Sequence, residues 1–81
     1  MNTVPYDLKY IGYAVVVSSY PFDNFLRGRI FGILEILNNV VIIEDDGCQH
    51  YYMHPGAVVQ FSSIESARAF IPKIKRLQCM I

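Results

Sequence analysis

Eighty-one residues allow one small domain, near the lower end of what a single hydrophobic core stabilises without disulfides or metals. Seven Lys and Arg balance seven Asp and Glu, so no whole-molecule field draws the chain to nucleic acid or to an anionic membrane, and such binding would need a local patch. The apolar fraction of 53 % is high and the charged fraction of 17 % low for a soluble domain, which points to apolar surface covered by a protein partner or by another copy. No run approaches the ~20 apolar residues of a membrane helix. The first ten residues carry Pro5 and Asp7 where a leader would have a basic and then an apolar segment, so the expectation is a cytoplasmic protein with no membrane partner. Cys48 and Cys79 are expected to stay free thiols in such a compartment.

Residues 10–19, YIGYAVVVSS, are rich in aromatic and β-branched types and predict a first strand. Residues 20–24, YPFDN, predict a turn or loop. The stretch 25–37 fits both a helical stripe and a strand. Gly28 and Gly32, the β-branched content and the Asn38-Asn39 that follows favour a long strand bent at its glycines. Asn tolerates positive φ, so Asn38-Asn39 can close a two-residue hairpin onto a third strand over 40–46. Asp45-Asp46-Gly47 predicts a second hairpin, with Gly47 in the left-handed position, leading to a fourth strand over 49–54. Pro55-Gly56 interrupts the ladder before a fifth strand over 57–61. Ser62 and Glu65 have capping-box spacing, so a helix is expected over about 63–71, broken or kinked by Pro72 and extending at most to about 77. Its apolar face would be Ile64, Ala67, Phe70 and Ile71. The expected fold class is α+β: a small, strongly bent antiparallel sheet or SH3-like barrel of about five strands with a C-terminal helix.

Leu26-Arg27-Gly28-Arg29-Ile30 resembles the LxGxI second strand of the Sm-like/Hfq family of small barrels, and Tyr52-Met53-His54 resembles that family's YKH, with Met53 in place of the lysine. The resemblance spans roughly residues 15–61. It implies a ring of copies and RNA binding, with His54 as the residue whose role carries over.

Cys48, His50 and His54 have zinc-ligand character, but a fourth ligand is missing nearby, so no metal and no other cofactor is expected. Cys48 as a nucleophile would need a lowered pKa, which Asp45 and Asp46 oppose, so no catalytic set is assembled and no enzyme is expected. Glu44, Asp45 and Asp46 predict either a solvated, edge-protecting turn or an acidic recognition patch. Lys9, Arg27 and Arg29, with Tyr10, Tyr13, Tyr20, Tyr51 and Tyr52, would suit phosphate contact and base stacking, and are equally the residue types of protein interfaces. The favoured expectation is a non-catalytic binding module acting through protein contacts, as a homo-oligomer or as an inhibitor or adaptor of the kind phages and mobile elements encode. The alternative is a Sm-like RNA or single-stranded nucleic-acid binder.

Overall fold

The computed structural model describes residues 4–17 and 28–79, with side chains as far as residue 73. Five strands, β1 (Gly12–Val16), β2 (Ile30–Leu37), β3 (Val40–Glu44), β4 (His50–Met53) and β5 (Val58–Phe61), precede a 16-residue helix, α1 (Ile64–Cys79). The strands form one antiparallel sheet in the order β4-β3-β2-β1-β5. Among the described residues, the α+β class and the five strands expected from sequence are therefore present.

All five residues of β1 are buried, because period-2 alternation sends its apolar side chains into two different clusters. Ala14 and Val16 join Phe31, Ile33, Val41, Ile43, Met53 and Val58 on one face. Tyr13 and Val15 join Val4, Ile30, Ile64 and Ala67 on the other, where α1 packs. The first face is drawn together by curvature of the sheet. β4 and β5 end the strand order on opposite sides, and in a flat sheet four spacings would separate them by about 19 Å. Yet Met53 and Val58 are only five positions apart and share one cluster. The link contains a 3-10 turn, Pro55–Ala57, rising only about 2 Å per residue. The sheet must bend to bring its outer strands towards each other.

Local details differ from the expectations in instructive ways. Gly28 precedes β2 in a turn at φ 80°, and the irregularity in β2 falls between Ile33 and Glu35, so neither glycine is the site of the strand's bulge. Residues 25–27, part of the expected second strand, lie outside the described residues, as do residues 18 and 19 of the first. The Asn38-Asn39 turn joins Leu37 to Val40 as expected, but without left-handed residues: Cys48, at φ 66°, is the only non-glycine with positive φ among the described residues. Ser63, not Ser62, caps α1, its Oγ accepting from the Ser66 N–H at 3.2 Å. Ile64 and Ala67 are buried, Phe70 and Ile71 half-buried, and Glu65, Ser66 and Arg68 exposed. The helix continues through Pro72 to Cys79. Pro72 removes the N–H that would bond the Arg68 carbonyl, but both residues are exposed, so water can satisfy that carbonyl.

The loop between β3 and β4 is organised by Asp45. Its Oδ1 accepts from the N–H groups of Gly47 at 2.9 Å and Gln49 at 2.8 Å, while its backbone pairs with Gln49 and Cys48. This closure places the left-handed conformation on Cys48, one residue beyond Gly47. Cys48→Gly is therefore expected to raise stability by about 0.5 kcal/mol, relief of left-handed strain being partly offset by added freedom of the unfolded chain. Gly47→Ala should change little, since a Cβ there would meet its nearest neighbour at an ordinary 3.5 Å. Urea titration of the two variants checks the contrast, and a destabilised Cys48→Gly would contradict it.

Candidate functional site

The three consecutive acids separate into three environments, because alternation along β3 and the loop that follows point them differently. Glu44 is the last residue of β3 and lies opposite Gly32 on one side and His50 on the other. Its side chain is only 6 % exposed. Oε1 accepts from the Tyr10 hydroxyl at 2.6 Å and meets the Lys9 ammonium at 2.7 Å, and Oε2 lies 2.9 Å from His50 Nε2. Tyr10 can reach Glu44 because its ring lies directly over Gly32, where no side chain intervenes. The cluster ties the segment before β1 to the β3–β4 end of the sheet.

The hydrogen bond and charge of Lys9, with the Tyr10 hydroxyl, hold the Glu44 carboxyl down at about 2, against the opposing effect of burial. The same contact with Glu44 raises the Lys9 ammonium, while burial first and then Glu44 push the Tyr10 hydroxyl far above its ordinary value. A carboxylate so stabilised is a weak base near neutral pH, and Glu44 is better suited to structure than to proton transfer. Since its folded value lies below the unfolded one, its stabilising contribution is complete above about pH 4.5 and is lost as pH falls towards about 2. Glu44→Gln is expected to be less stable than wild type at pH 7, by about 1–3 kcal/mol, and the difference should shrink steadily below pH 4.5. Denaturant midpoints at pH 7, 4 and 2.5 check this, a constant difference being the contrary result.

Asp45 is buried within its loop, and its Oδ2 accepts from the Tyr51 hydroxyl at 3.0 Å. Tyr51 stands edge-on to Phe31 at 5.7 Å between centroids, and burial, then Asp45, raises its hydroxyl pKa. The Arg29 guanidinium lies 5.4 Å from the Phe31 ring centroid and 3.7 Å from Asp46. The expected acidic turn is thus only partly solvated: Glu44 and Asp45 are buried by specific partners, and Asp46 alone of the three is exposed.

Among the described residues, those expected to form a phosphate-and-stacking face lie at separate places. Lys9 and Tyr10 meet Glu44, Arg29 and Tyr51 belong to the Phe31 end, and Tyr13 is buried. Arg27 and Tyr20 lie outside the described residues. His54 caps the 3-10 turn, its Nδ1 accepting from the Gly56 N–H at 3.0 Å. Cys48 sits in the loop, His50 turns to Glu44 and His54 to its own turn, so the C-x-H-x3-H spacing does not converge. Among the described residues no group of three or more His, Cys, Asp or Glu is placed to hold a metal ion. Cys48 is exposed and free, and the Cys79 side chain lies outside the described part. No described helix is long and apolar enough to cross a membrane.

Tyr52 is different. It is 64 % exposed and lies opposite half-buried Ile42 on the face turned away from the first cluster. Val40 follows on that face and is opposite Leu37, which is 50 % exposed. Tyr52, Ile42, Val40 and Leu37 lie on one face across β4, β3 and β2, with Glu35 opposite Ile42, beside a β4 edge that among the described residues pairs with β3 alone. Sequence reasoning identified Tyr52 but missed the strip and the Glu44 cluster. Cross-strand alternation through a hairpin closed by Asp45 was the available signal for both. Comparison of the chain with protein-family models, with curated proteins and with solved structures found no match.

Proposed function

We propose that this protein is a non-catalytic binding module that acts through protein contacts, with the Leu37–Val40–Ile42–Tyr52 strip and the adjoining β4 edge as its contact surface and another copy of the chain as its first partner. The exposed strip carries this reading. Exposed apolar side chains next to a strand edge that no described strand pairs are the surface that a second chain covers, by side-chain burial and by extending the ladder. Tyr is also among the residue types that anchor interfaces. An inhibitor or adaptor role would use the same surface against a different protein. The bent sheet, the strand order and the 3-10 turn between β4 and β5 agree with an SH3/Sm-like barrel.

Sedimentation at micromolar concentration is expected to give a mass above the 9.3 kDa of one chain, and Leu37→Glu with Tyr52→Glu to return it to that value with the fold intact. A wild-type mass of one chain would overturn the homo-oligomer. Nucleic-acid binding is the second reading, favoured by the barrel-like strand order. Arg29 is a described basic residue near the sheet that it would use, so single-strand affinity should fall steeply with salt and drop in Arg29→Glu.

A further inference from the structure

β4 ends the described strand order, and its register with β3 fixes where its backbone points. In an antiparallel ladder, pairs that exchange both hydrogen bonds alternate with pairs that exchange none. The Asp45 N–H donates to the Gln49 carbonyl at 3.0 Å, which makes Asp45 and Gln49 a bonded pair. Along the register from there, Ile43–Tyr51 and Val41–Met53 are bonded pairs, while Glu44–His50 and Ile42–Tyr52 are not. The N–H and C=O groups of His50 and Tyr52 therefore point away from β3, towards the outer edge.

Three features limit what can pair there. Exposed edges are ordinarily guarded by side chains such as Lys or Pro, and β4, HYYM, holds no proline and no Lys, Arg, Asp or Glu. Before it, Cys48 at φ 66° is not extended and cannot continue the edge. After it, the His54 carbonyl already accepts from the Ala57 N–H at 2.8 Å. The usable edge is thus the outward groups of His50 and Tyr52 alone. An antiparallel copy of the same strand meets both residues, with no outward group left over, when the two-fold axis passes at Tyr51. With no formally charged side chain in β4, such self-pairing brings no like charges of the strand together.

We infer that two copies of this chain join through β4 in an antiparallel ladder centred on Tyr51, in which the N–H and C=O groups of His50 bond those of the partner's Tyr52, and the reverse. Such a dimer is a closed, two-fold form of the homo-oligomer proposed above and rests on that reading. Tyr52 then stands beside the partner's His50. Tyr51 faces its own copy in a pair without hydrogen bonds, where Cα atoms lie about 4.5 Å apart.

Amide hydrogen exchange of the full chain, read with its sedimentation mass, tests the ladder. Wild type is expected at twice the 9.3 kDa of one chain, with the His50 and Tyr52 amides within about tenfold of the Tyr51 and Met53 amides that β3 protects. Tyr51→Cys with Cys48→Ser and Cys79→Ser leaves one thiol per chain. Glutathione disulfide should then link two copies in most of the material, since a pair without hydrogen bonds has the Cα spacing a disulfide needs. A mass of one chain overturns the homo-oligomer and the ladder with it. A mass of two chains with fast His50 and Tyr52 amides overturns the ladder alone, as does a folded Tyr51→Cys variant that stays unlinked. A mass above two chains overturns the two-fold closure. Should the cysteine variant not fold, the exchange rates decide.

Discussion

Gly32→Ala is expected to destabilise the protein by about 2–3 kcal/mol, although alanine usually stabilises when it replaces a glycine whose backbone is unstrained. Gly32 lies in β2 with no positive φ, so alanine meets no backbone penalty. Its Cβ, however, would stand 2.5 Å from three atoms of the Tyr10 ring. That ring cannot simply swing away. Its hydroxyl is bonded to Glu44, and Tyr13 stands edge-on to it at 5.9 Å. Displacing Tyr10 therefore disturbs the partners of a buried carboxylate as well as one aromatic contact. The diagnostic measurement is a double-mutant cycle by denaturant unfolding. In a Tyr10→Ala background the clash is gone, and Gly32→Ala should become neutral or mildly stabilising. Equal costs in both backgrounds would show that the glycine is needed for something other than the ring above it.

Phe31→Ala is expected to cost about 3–5 kcal/mol, enough in a domain of this size to abolish folding, and Phe70→Ala roughly half as much. Helical spacing with Ile64, Ala67 and Ile71 puts Phe70 on a core face, which by itself would give Phe70 the larger figure. The structure divides that face. Ile64 and Ala67 are buried, while Phe70 is half-buried and packs against Phe61 at 5.4 Å. Phe31 has no exposed surface, sits where β1, β2 and β3 meet on the inner face of the bent sheet, and touches both Tyr51 and Arg29. Its removal would leave a cavity lined by side chains of several strands, which relax little. Thermal midpoints and urea unfolding of the two variants decide the order, and Phe70→Ala proving the more costly would contradict it.

What the sequence determined by itself was set by short-range chemistry. β-branched runs separated by Asn38-Asn39 and by the acid-rich loop specify β2, β3 and β4, because turn residues and period-2 patterning act within a few residues. The serines ahead of an apolar helical stripe likewise specify where α1 begins and which side it buries. Tertiary structure decided everything that depends on register. Pairing Gly32 with Glu44 opens the space into which Tyr10 lies, and Glu44 is thereby buried, which no count of acids at a hairpin could reveal. Closure of the loop on Asp45 moved the left-handed residue from Gly47 to Cys48. The bulge at Ile33/Glu35 and the bend of the sheet chose which apolar residues were enclosed, Phe31 and Ile43 among them, and which were left outward, Leu37 and Tyr52 among them. Those choices follow from contacts between residues far apart in the chain. Burial is a property of the assembled sheet, whereas propensity belongs to each segment alone.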